Sequence, residues 1–308
     1  MNAHPNSFAV TVDIEDWYHI PSVTGSPFST YQDLDHFFEE WDDRYDYLTE
    51  PTGRVLNLLD RHGITATFFV VADVVARYPG LVEQIAERGH EIACHSLHHA
   101  CPIDPSTKMP LLEESTFERQ TLEAKRILEN VTNEEVVGYR AANAFVTGWM
   151  IDALERCGFQ YDSSVSVNSL YNKTDSMLTG ITSAPYVPKP GGLEPSSTST
   201  RRFIEFPFAY LDVGLKVPTS GGPMLRFLGA HMILQGLRQS LARGHTVFYF
   251  HPIDIASERF PRVGKNRPLY WMIKGKRVEA RIDFILSQLK DVPTMPLREL
   301  VEQMMRGD

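Results

Sequence analysis

The chain alternates between short apolar segments, which are typical of β-strands, and amphipathic segments, which are typical of α-helices. Seven segments predict strands, namely FAVTV, TATFFVV, HEIACH, EVVGYR, FQYD, RFIEFP and HTVFYF. Helical patterns separate most of them. Strands that alternate with helices are joined by crossover connections, so the sequence predicts an α/β fold with a mainly parallel sheet, either open or closed into a barrel. The strands are apolar throughout, as in sheets covered on both faces.

Several of the predicted helices have identifiable ends. TGRVLNLLDRHG ends in Gly63, at the C-cap position, and TGWMIDALERCG begins with Thr147, a potential N-cap. Further helices are predicted in ADVVARYPGLVEQIAERG, from about 111 to 130, across MLRFLGAHMILQGLRQSLARG, and near 277–290 and 296–305. Residues 165–200 show no periodicity and predict a loop or hairpin excursion.

No internal repeat and no linker-like boundary divides the 308 residues. A chain of this length suits one domain of the barrel type as well as two smaller domains. We expect a single domain over residues 1–308, with its core from about 8 to 255 and a C-terminal helical extension from about 256 to 308.

Reactive side chains gather where the predicted strands end. Three carboxylates follow the first strand, two histidines follow the third, and single residues accompany later strands. In chain order they are Asp13, Glu15, Asp16, His95, His99, Arg140, Asp162, Glu205 and His251. The carboxyl ends of parallel strands open onto one face, where active sites of α/β barrels are built. We therefore expect these side chains to be neighbours in space.

The segment CHSLHH supplies two imidazoles for a cation site. His95 and His99 are four residues apart, so one helical turn would aim both rings at a common point. Imidazole with carboxylate suits Zn²⁺ or another divalent transition metal, whereas Ca²⁺ and Mg²⁺ prefer oxygen ligands. The third ligand is Glu15 or Asp16. Glu15 is favoured, because a two-residue strand period places it on the same face as Asp13, which is then left free as a base.

Composition argues against two classes of partner. A net charge of −9 with scattered Lys and Arg argues against binding to nucleic acid or to anionic membranes.

The N-terminal MNAHPNSFAV lacks the features of a signal peptide, and no segment approaches the roughly 18 apolar residues of a transmembrane span. Cys94, Cys101 and Cys157 form no CxxC pair, which favours the reducing cytoplasm. Composition gives no indication of the oligomeric state.

Five motifs, in order, resemble those of the polysaccharide deacetylases of the NodB-homology type (carbohydrate esterase family four). They are TVDIED, GHEIACHSLHH, GYRAAN, GFQYDSSV and YFHP, and the resemblance covers roughly residues 8–255. The pattern is most similar to the cytoplasmic branch associated with exopolysaccharide synthesis. Two departures are expected to change local contacts. Arg140 is followed by Ala141 where the family usually has proline, and the usual HPWEID is shortened to HPID.

The resemblance implies a distorted (β/α) barrel with fewer than eight complete units and mainly parallel strands. It assigns metal-ligand roles to the two histidines of the second motif. Asp13 would act as the general base, and His251 as the general acid that protonates the leaving amine. Arg140 would keep Asp13 ionised by charge pairing, and Asp162 would hold His251 oriented and cationic.

We therefore expect a cytoplasmic, metal-dependent deacetylase with zinc as its ion. Its substrate would be an N-acetylated amino sugar in a polysaccharide or in a biosynthetic intermediate, for example one linked to lipid. The aromatic segment EDWYHIPSVTGSPFSTY favours stacking on a sugar ring. Two alternatives stay open. An amidohydrolase for a small cyclic or ureido compound would have a closed pocket, and an inactive sugar-binding barrel would lack the base or a metal ligand.

Overall fold

The computed structural model describes residues 6–22, 35, 38–39, 41–198, 200–257 and 273–306. Seven strands in these ranges form one parallel sheet: β1 (Phe8–Ile14), β2 (Thr67–Val70), β3 (Glu91–Cys94), β4 (Gly138–Tyr139), β5 (Tyr161–Asp162), β6 (Ile204–Glu205) and β9 (Thr246–Phe250). Their order is β6-β5-β4-β3-β2-β1-β9. Each coincides with a segment predicted to be a strand, and β1 continues two residues beyond FAVTV, to Ile14. The sheet curls into a half-barrel flanked by helices, which confirms the predicted α/β fold and distorted (β/α) barrel.

The first strand lies beside the last strand of the sheet. β1 pairs in parallel with β2 on one side and with β9 on the other, with Val12 opposite both Phe68 and Phe250. The carboxyl ends of β1 and β9 are therefore adjacent. Outside the named strands, Gly221 forms a single bridge to Tyr249 of β9, which extends the sheet beyond that strand.

Ten α-helices are described: α1 (Thr49–His62), α2 (Val74–Arg77), α3 (Leu81–Glu87), α4 (Glu114–Thr132), α5 (Gly148–Arg156), α6 (Pro223–Leu228), α7 (Ala230–Leu241), α8 (Pro252–Ile255), α9 (Lys276–Gln288) and α10 (Leu297–Arg306). Gly63 ends α1 in the left-handed conformation, as predicted. Thr147 precedes α5, but its hydroxyl forms no capping bond. None of these helices combines the length and the apolar character needed to cross a membrane.

One prediction between β6 and β9 was wrong, and one pair of strands there was not predicted. The single helix predicted across MLRFLGAHMILQGLRQSLARG is divided into α6 and α7 at Gly229, whose φ of 78° and ψ of 172° interrupt the helix. An antiparallel hairpin, β7 (Tyr210–Asp212) and β8 (Lys216–Pro218), was not predicted. Its turn contains Gly214 at a φ of 87°, in the left-handed region that glycine enters readily.

The strands bury two separate apolar surfaces. Alternate side chains point outward to a large core shared with the helices, which includes Val10 and Phe68. The opposite set points into the half-barrel and includes Ala9, Phe69 and Val247. Helix α10 contributes Leu297, Leu300 and Val301 to this interior cluster. Of the helical extension, α10 is therefore packed against the interior cluster, whereas α9 joins the outer core, and the functional groups lie at the other end of the strands.

Candidate active site

The acidic end of β1 divides its carboxylates between two environments. Asp13 and Glu15 line the same cleft, as the strand period predicted. Asp16 is buried elsewhere, where its Oδ2 accepts hydrogen bonds from the Tyr78 hydroxyl and from Arg77 Nε at 3.0 Å. Its Oδ1 accepts the Trp17 backbone N–H at 2.6 Å. These contacts direct Asp16 away from the two histidines.

The loop after β3 positions the two histidines without a helical turn, so that detail of the prediction was wrong. His95 directly follows the strand, and residues 95–100 contain no helix. Ser96 and His99 have φ values of 71° and 56°, which are uncommon for residues other than glycine. The Ser96 hydroxyl accepts the His99 backbone N–H at 2.9 Å. This tight loop turns His99 back toward His95, with ring centroids 4.8 Å apart.

Glu15, His95 and His99 form a cluster that fits a divalent cation. One ligand atom from each lies within 4.8 Å of the others. Glu15 Oε2 is 2.8 Å from His99 Nε2 and 4.0 Å from His95 Nε2. His95 Nδ1 lies 2.8 Å from the Arg140 carbonyl oxygen, and His99 Nδ1 lies 3.1 Å from the His19 carbonyl oxygen. A carbonyl only accepts, so each Nδ1 carries a proton and Nε2 is the nitrogen available to a metal.

Electrostatics in the cluster also suit a cation. Burial opposes the charge on Glu15, but the neighbouring histidines, His99 foremost, hold its pKa well below the usual range. Burial lowers the pKa of His95 to about 4. Burial also disfavours a charged His99, but the Glu15 carboxylate outweighs it and raises the pKa of His99. The pKa shifts of Glu15 and His99 show that positive charge is favoured beside the Glu15 carboxylate, which is the charge that a bound cation would supply.

Asp13 forms a buried ion pair with Arg140, the pairing that the sequence predicted. Asp13 Oδ1 accepts a hydrogen bond from Arg140 Nη1 at 2.6 Å, and the same nitrogen donates to the Thr11 hydroxyl at 2.9 Å. Arg140 Nε and Nη2 donate to the carbonyl and hydroxyl of Ser163, both at 2.8 Å. The guanidinium lies 4.0 Å from the Phe69 ring centroid. This network fixes the position and orientation of Asp13.

His251 approaches Asp13 and Glu15 from the end of β9. Its Nε2 is 3.3 Å from Glu15 Oε1 and 3.8 Å from Asp13 Oδ2. Burial disfavours the charged ring, but the carboxylates of Asp254 and Glu15 raise the pKa of His251 to about 9. The imidazole is therefore cationic at neutral pH, as a proton donor must be.

The carboxylate that orients His251 is Asp254, so the prediction that Asp162 does so was wrong. Asp254 Oδ2 accepts the backbone N–H of His251 at 2.8 Å and lies 3.0 Å from its Nδ1. Its Oδ1 accepts a hydrogen bond from Arg226 Nε at 2.7 Å. The sequence HPID contained a usable signal. Proline at the first helical position with an acid at the third predicts an N-terminal capping contact back to His251.

Asp162 belongs to a different buried cluster, with Glu205. Asp162 Oδ1 accepts from the Ser164 hydroxyl at 2.8 Å, and Glu205 Oε1 accepts the backbone N–H of Val165 at 2.8 Å. Burial raises the pKa of Asp162 to about 6 and that of Glu205 well above its usual value. β5 ends at Asp162, and β6 beside it ends at Glu205, so parallel pairing places the two acids together away from His251.

A cleft of about 130 Å³ opens over the cluster of Glu15, His95 and His99 and over Asp13 and His251. It is lined by Asp13, Glu15, His95, His99, Arg140 and His251 of the predicted set. Sequence reasoning did not include Arg226, Asp254 or Lys173, which also line it. Much of the aromatic segment predicted to stack on a sugar, residues 23–31, lies outside the described residues. Its described part contributes Trp17 to the cleft.

Comparison with known families divides the chain between β5 and β6, at one edge of the sheet, and neither match includes β1. The model of the polysaccharide deacetylase family matches residues 38–161, and that of a domain of unknown function (DUF3473) matches residues 174–295. The second match includes β6 and β9 of the common sheet. It also contains His251 and Asp254, so both matched regions contribute side chains to one cleft.

Curated relatives support a polysaccharide deacetylase domain. A peptidoglycan-N-acetylglucosamine deacetylase from Bacillus cereus is 28% identical over 109 residues, or 35% of this chain and 47% of that protein. The chain spans less than half the length of the first curated relatives that it matches.

Solved structures share the fold at low sequence identity. A Mycobacterium smegmatis protein described as a polysaccharide deacetylase aligns with a TM-score of 0.62 and 20% identity, over 100% of this chain and 93% of that one. An allantoinase aligns with a TM-score of 0.57 and 16% identity, over 97% of this chain and 93% of that one. At these identities the two likenesses show the fold alone.

Proposed function

We propose that this chain, whose residues 38–161 match the polysaccharide deacetylase family, removes an N-acetyl or related acyl group from an amino sugar in a metal-dependent hydrolysis. The observation that carries the proposal is the position of Asp13 and His251 beside the Glu15, His95 and His99 cluster. Amide hydrolysis requires a polarised carbonyl, a base for water and an acid for the leaving amine, and this cleft holds candidates for all three.

The cluster and Asp13 have separate tasks in this proposal. Glu15, His95 and His99 would hold a divalent cation, which would supply Lewis-acid chemistry: polarisation of the amide carbonyl and a water molecule whose pKa is lowered from about 16 toward 7. Asp13 accepts the proton of the attacking water. Arg140 keeps the Asp13 carboxylate in place through a buried hydrogen bond.

His251 completes the reaction as the proton donor. An amine anion is a very poor leaving group, so the nitrogen must be protonated as the C–N bond breaks. His251 Nε2 faces the carboxylates of Asp13 and Glu15, while Nδ1 is held by Asp254. Asp254 therefore both orients the ring and maintains its positive charge, the role that the sequence assigned to Asp162.

The finer assignments follow from the motifs and the cysteines. We propose zinc as the ion, because two imidazoles and one carboxylate form a ligand set typical of catalytic zinc. All three cysteines are free and buried, which supports a reducing compartment. In the cytoplasm the substrate would be a biosynthetic intermediate of an exopolysaccharide, for example a lipid-linked oligosaccharide. Detection of the native protein in the periplasm would contradict this location.

An assay across substrate classes tests the proposal. The zinc-loaded protein should release acetate from N-acetylglucosamine oligomers or from lipid-linked N-acetylated sugars. Allantoin serves as the ureido substrate for the amidohydrolase alternative. Hydrolysis of allantoin without acetate release would favour that alternative. Sugar binding with neither reaction would indicate an inactive sugar-binding barrel, and the proposal would be rejected in both cases.

A further inference from the structure

The cleft contains a lysine that the proposed reaction does not use. Lys173 lies in the irregular segment after β5 and lines the cleft together with Asp13 and His251. Its Nζ donates one hydrogen bond, to the Asn143 carbonyl at 2.7 Å. An ammonium has three N–H donors, so further donors remain for a ligand.

Lys173 differs from the other cations of the cleft in its charge partners. Arg140 is paired with Asp13, and Arg226 is paired with Asp254. Within the described parts of the chain, no carboxylate lies within 4.0 Å of Lys173 Nζ. A partly buried cation normally has a paired anion, because removing a charge from water without compensation is unfavourable.

A second lysine, Lys108, interacts with Lys173 from outside the lining of the cleft. Lys108 Nζ lies 5.2 Å and Lys173 Nζ lies 5.5 Å from the centroid of the same ring, Phe145. Lys108 Nζ also donates to the Tyr171 hydroxyl at 3.2 Å. Burial lowers the pKa of Lys173 to about 8, and Lys108 adds to this effect. Lys108 also interacts with the Asp104 carboxylate, so Lys173 is the ammonium group of this pair that is left to attract an anion.

We propose that the substrate carries an anionic group, a carboxylate or a phosphate, and that Lys173 binds this group while the acyl amide lies over Asp13 and His251. That Lys173 binds an anionic group depends only on the residues of the cleft. That this group belongs to a substrate whose amide lies over Asp13 and His251 rests on the proposed function. The carboxylate of a uronic acid and the phosphate of a sugar phosphate share the chemistry that a lysine recognises.

Equilibrium binding to the full-length, zinc-loaded protein tests the inference. The probes are neutral N,N′-diacetylchitobiose, a disaccharide of glucuronic acid and N-acetylglucosamine, and N-acetylglucosamine 1-phosphate. At least one anionic probe should bind about ten- to hundredfold more tightly than the neutral one, the usual gain from a hydrogen bond to a charged group. The better anionic probe identifies carboxylate or phosphate as the source of the charge.

Variants separate recognition from support of the loop. Lys173→Gln keeps a donor for the Asn143 carbonyl but removes the charge, so the preference for the anionic probe should fall to less than about threefold. Lys173→Arg should retain most of the preference. Lys216→Met, which changes a lysine of the β7–β8 hairpin outside the cleft, is the matched control and should leave it unchanged.

Three results would overturn the inference. They are no anionic preference in the wild type, an unchanged preference in Lys173→Gln, and an equal loss of affinity for all three probes in that variant. The last result would mean that Lys173 only stabilises the loop of Asn143. Acetate release is measured in parallel. Its absence would reject the proposed function, while the binding data would still decide the role of Lys173.

Discussion

At the scale of single residues, neighbours give Asp13 and Glu15 different tasks although the two are only two positions apart. Arg140 holds Asp13 through a 2.6 Å hydrogen bond, whereas Glu15 faces His99 at 2.8 Å. A carboxylate facing imidazole nitrogens can share a cation with them. A carboxylate held by a guanidinium keeps its position and can accept a proton from water.

Asp13→Asn tests this division of roles. Asn can still accept the hydrogen bond from Arg140 but cannot act as a base, so the rate of acetate release should fall by roughly 10²–10⁴. The metal content, measured by elemental analysis, should stay that of the wild type. Glu15→Gln is the matched variant and should lose metal. Loss of metal in Asp13→Asn would show that the two carboxylates are assigned the wrong way round.

Asp254→Asn tests the partner of the proton donor. Without this charge the pKa of His251, now raised to about 9, should fall, so less of the imidazole is protonated at pH 8. Hydrolysis of an N-acetyl sugar should slow by about tenfold or more, while an activated acetate ester, whose leaving group needs no proton, should be affected less. Asp162→Asn is the control. An equal effect in both variants would contradict the assignment.

Much of the site could be predicted from the sequence, because strand period and motif spacing carry strong geometric information. The two-residue period placed Asp13 and Glu15 together, and the strand order brought His251 to them. The partner of His251 could not be predicted from the fourth motif. The choice between Asp162 and Asp254 depends on whether the end of β5 or the helix after β9 lies beside His251. In the sequence, only the capping pattern of HPID pointed to Asp254.

At the scale of elements, the segment before α6 supports β9 and hence His251. Tyr249 of β9 donates its backbone N–H to the Ser220 carbonyl at 2.8 Å and accepts that of Gly222 at 3.1 Å. Gly221, between Ser220 and Gly222, has a φ of 141°. A Cβ at this position would lie 1.7 Å from the Tyr249 carbonyl oxygen. Only glycine permits this close approach.

Gly221→Ala should therefore lower the free energy of unfolding by about 2–4 kcal/mol, since both backbone strain and a backbone clash must be relieved. Urea denaturation measures the change. Gly214→Ala is the matched control, because its φ is also positive but its surroundings are open, and it should cost only about 1–2 kcal/mol. Equal effects would show that the contact with β9 is unimportant.

The buried acids Asp162 and Glu205 predict a specific pH dependence of stability. Burial raises both pKa values, so the native state retains protons that the unfolded chain releases from about pH 4 upward. Their contribution is full below pH 4 and is lost as the pH rises through about 6 and above. Glu205→Gln should reduce the loss of stability between pH 4 and 7 by about 1–2 kcal/mol.

Urea denaturation at the two pH values measures this difference. Glu123→Gln, at an exposed position of α4, is the control and should follow the wild type. A Glu205→Gln variant with the same pH profile as the wild type would contradict a protonated acid pair.

The elements themselves were more predictable where the chain is periodic than where it is irregular. The seven sheet strands were predicted because a strand covered on both faces must be apolar. The β7–β8 hairpin was not, since its six residues vary in exposure and lack a clear alternation. The break between α6 and α7 was missed because an apolar helical stripe continues across Gly229, whose backbone conformation overrides it.

At the scale of the whole molecule, one sheet joins the two regions that family models match separately. β1 pairs with β2 on one side and with β9 on the other, and α10 fills the interior of the half-barrel. Cleft residues therefore come from both matched regions. The single domain over residues 1–308 stays a prediction, and this shared sheet and interior are the observations that favour it.

The central claim is that a cation held by Glu15, His95 and His99 is required for deacetylation. The most direct measurement is acetate release by chelator-treated protein, before and after titration with Zn²⁺, together with the metal content per chain. We expect treatment to abolish the activity and about one equivalent of Zn²⁺ to restore it, whereas His99→Ala should neither retain metal nor recover. Full acetate release by the metal-free protein, or by His99→Ala, would contradict the claim.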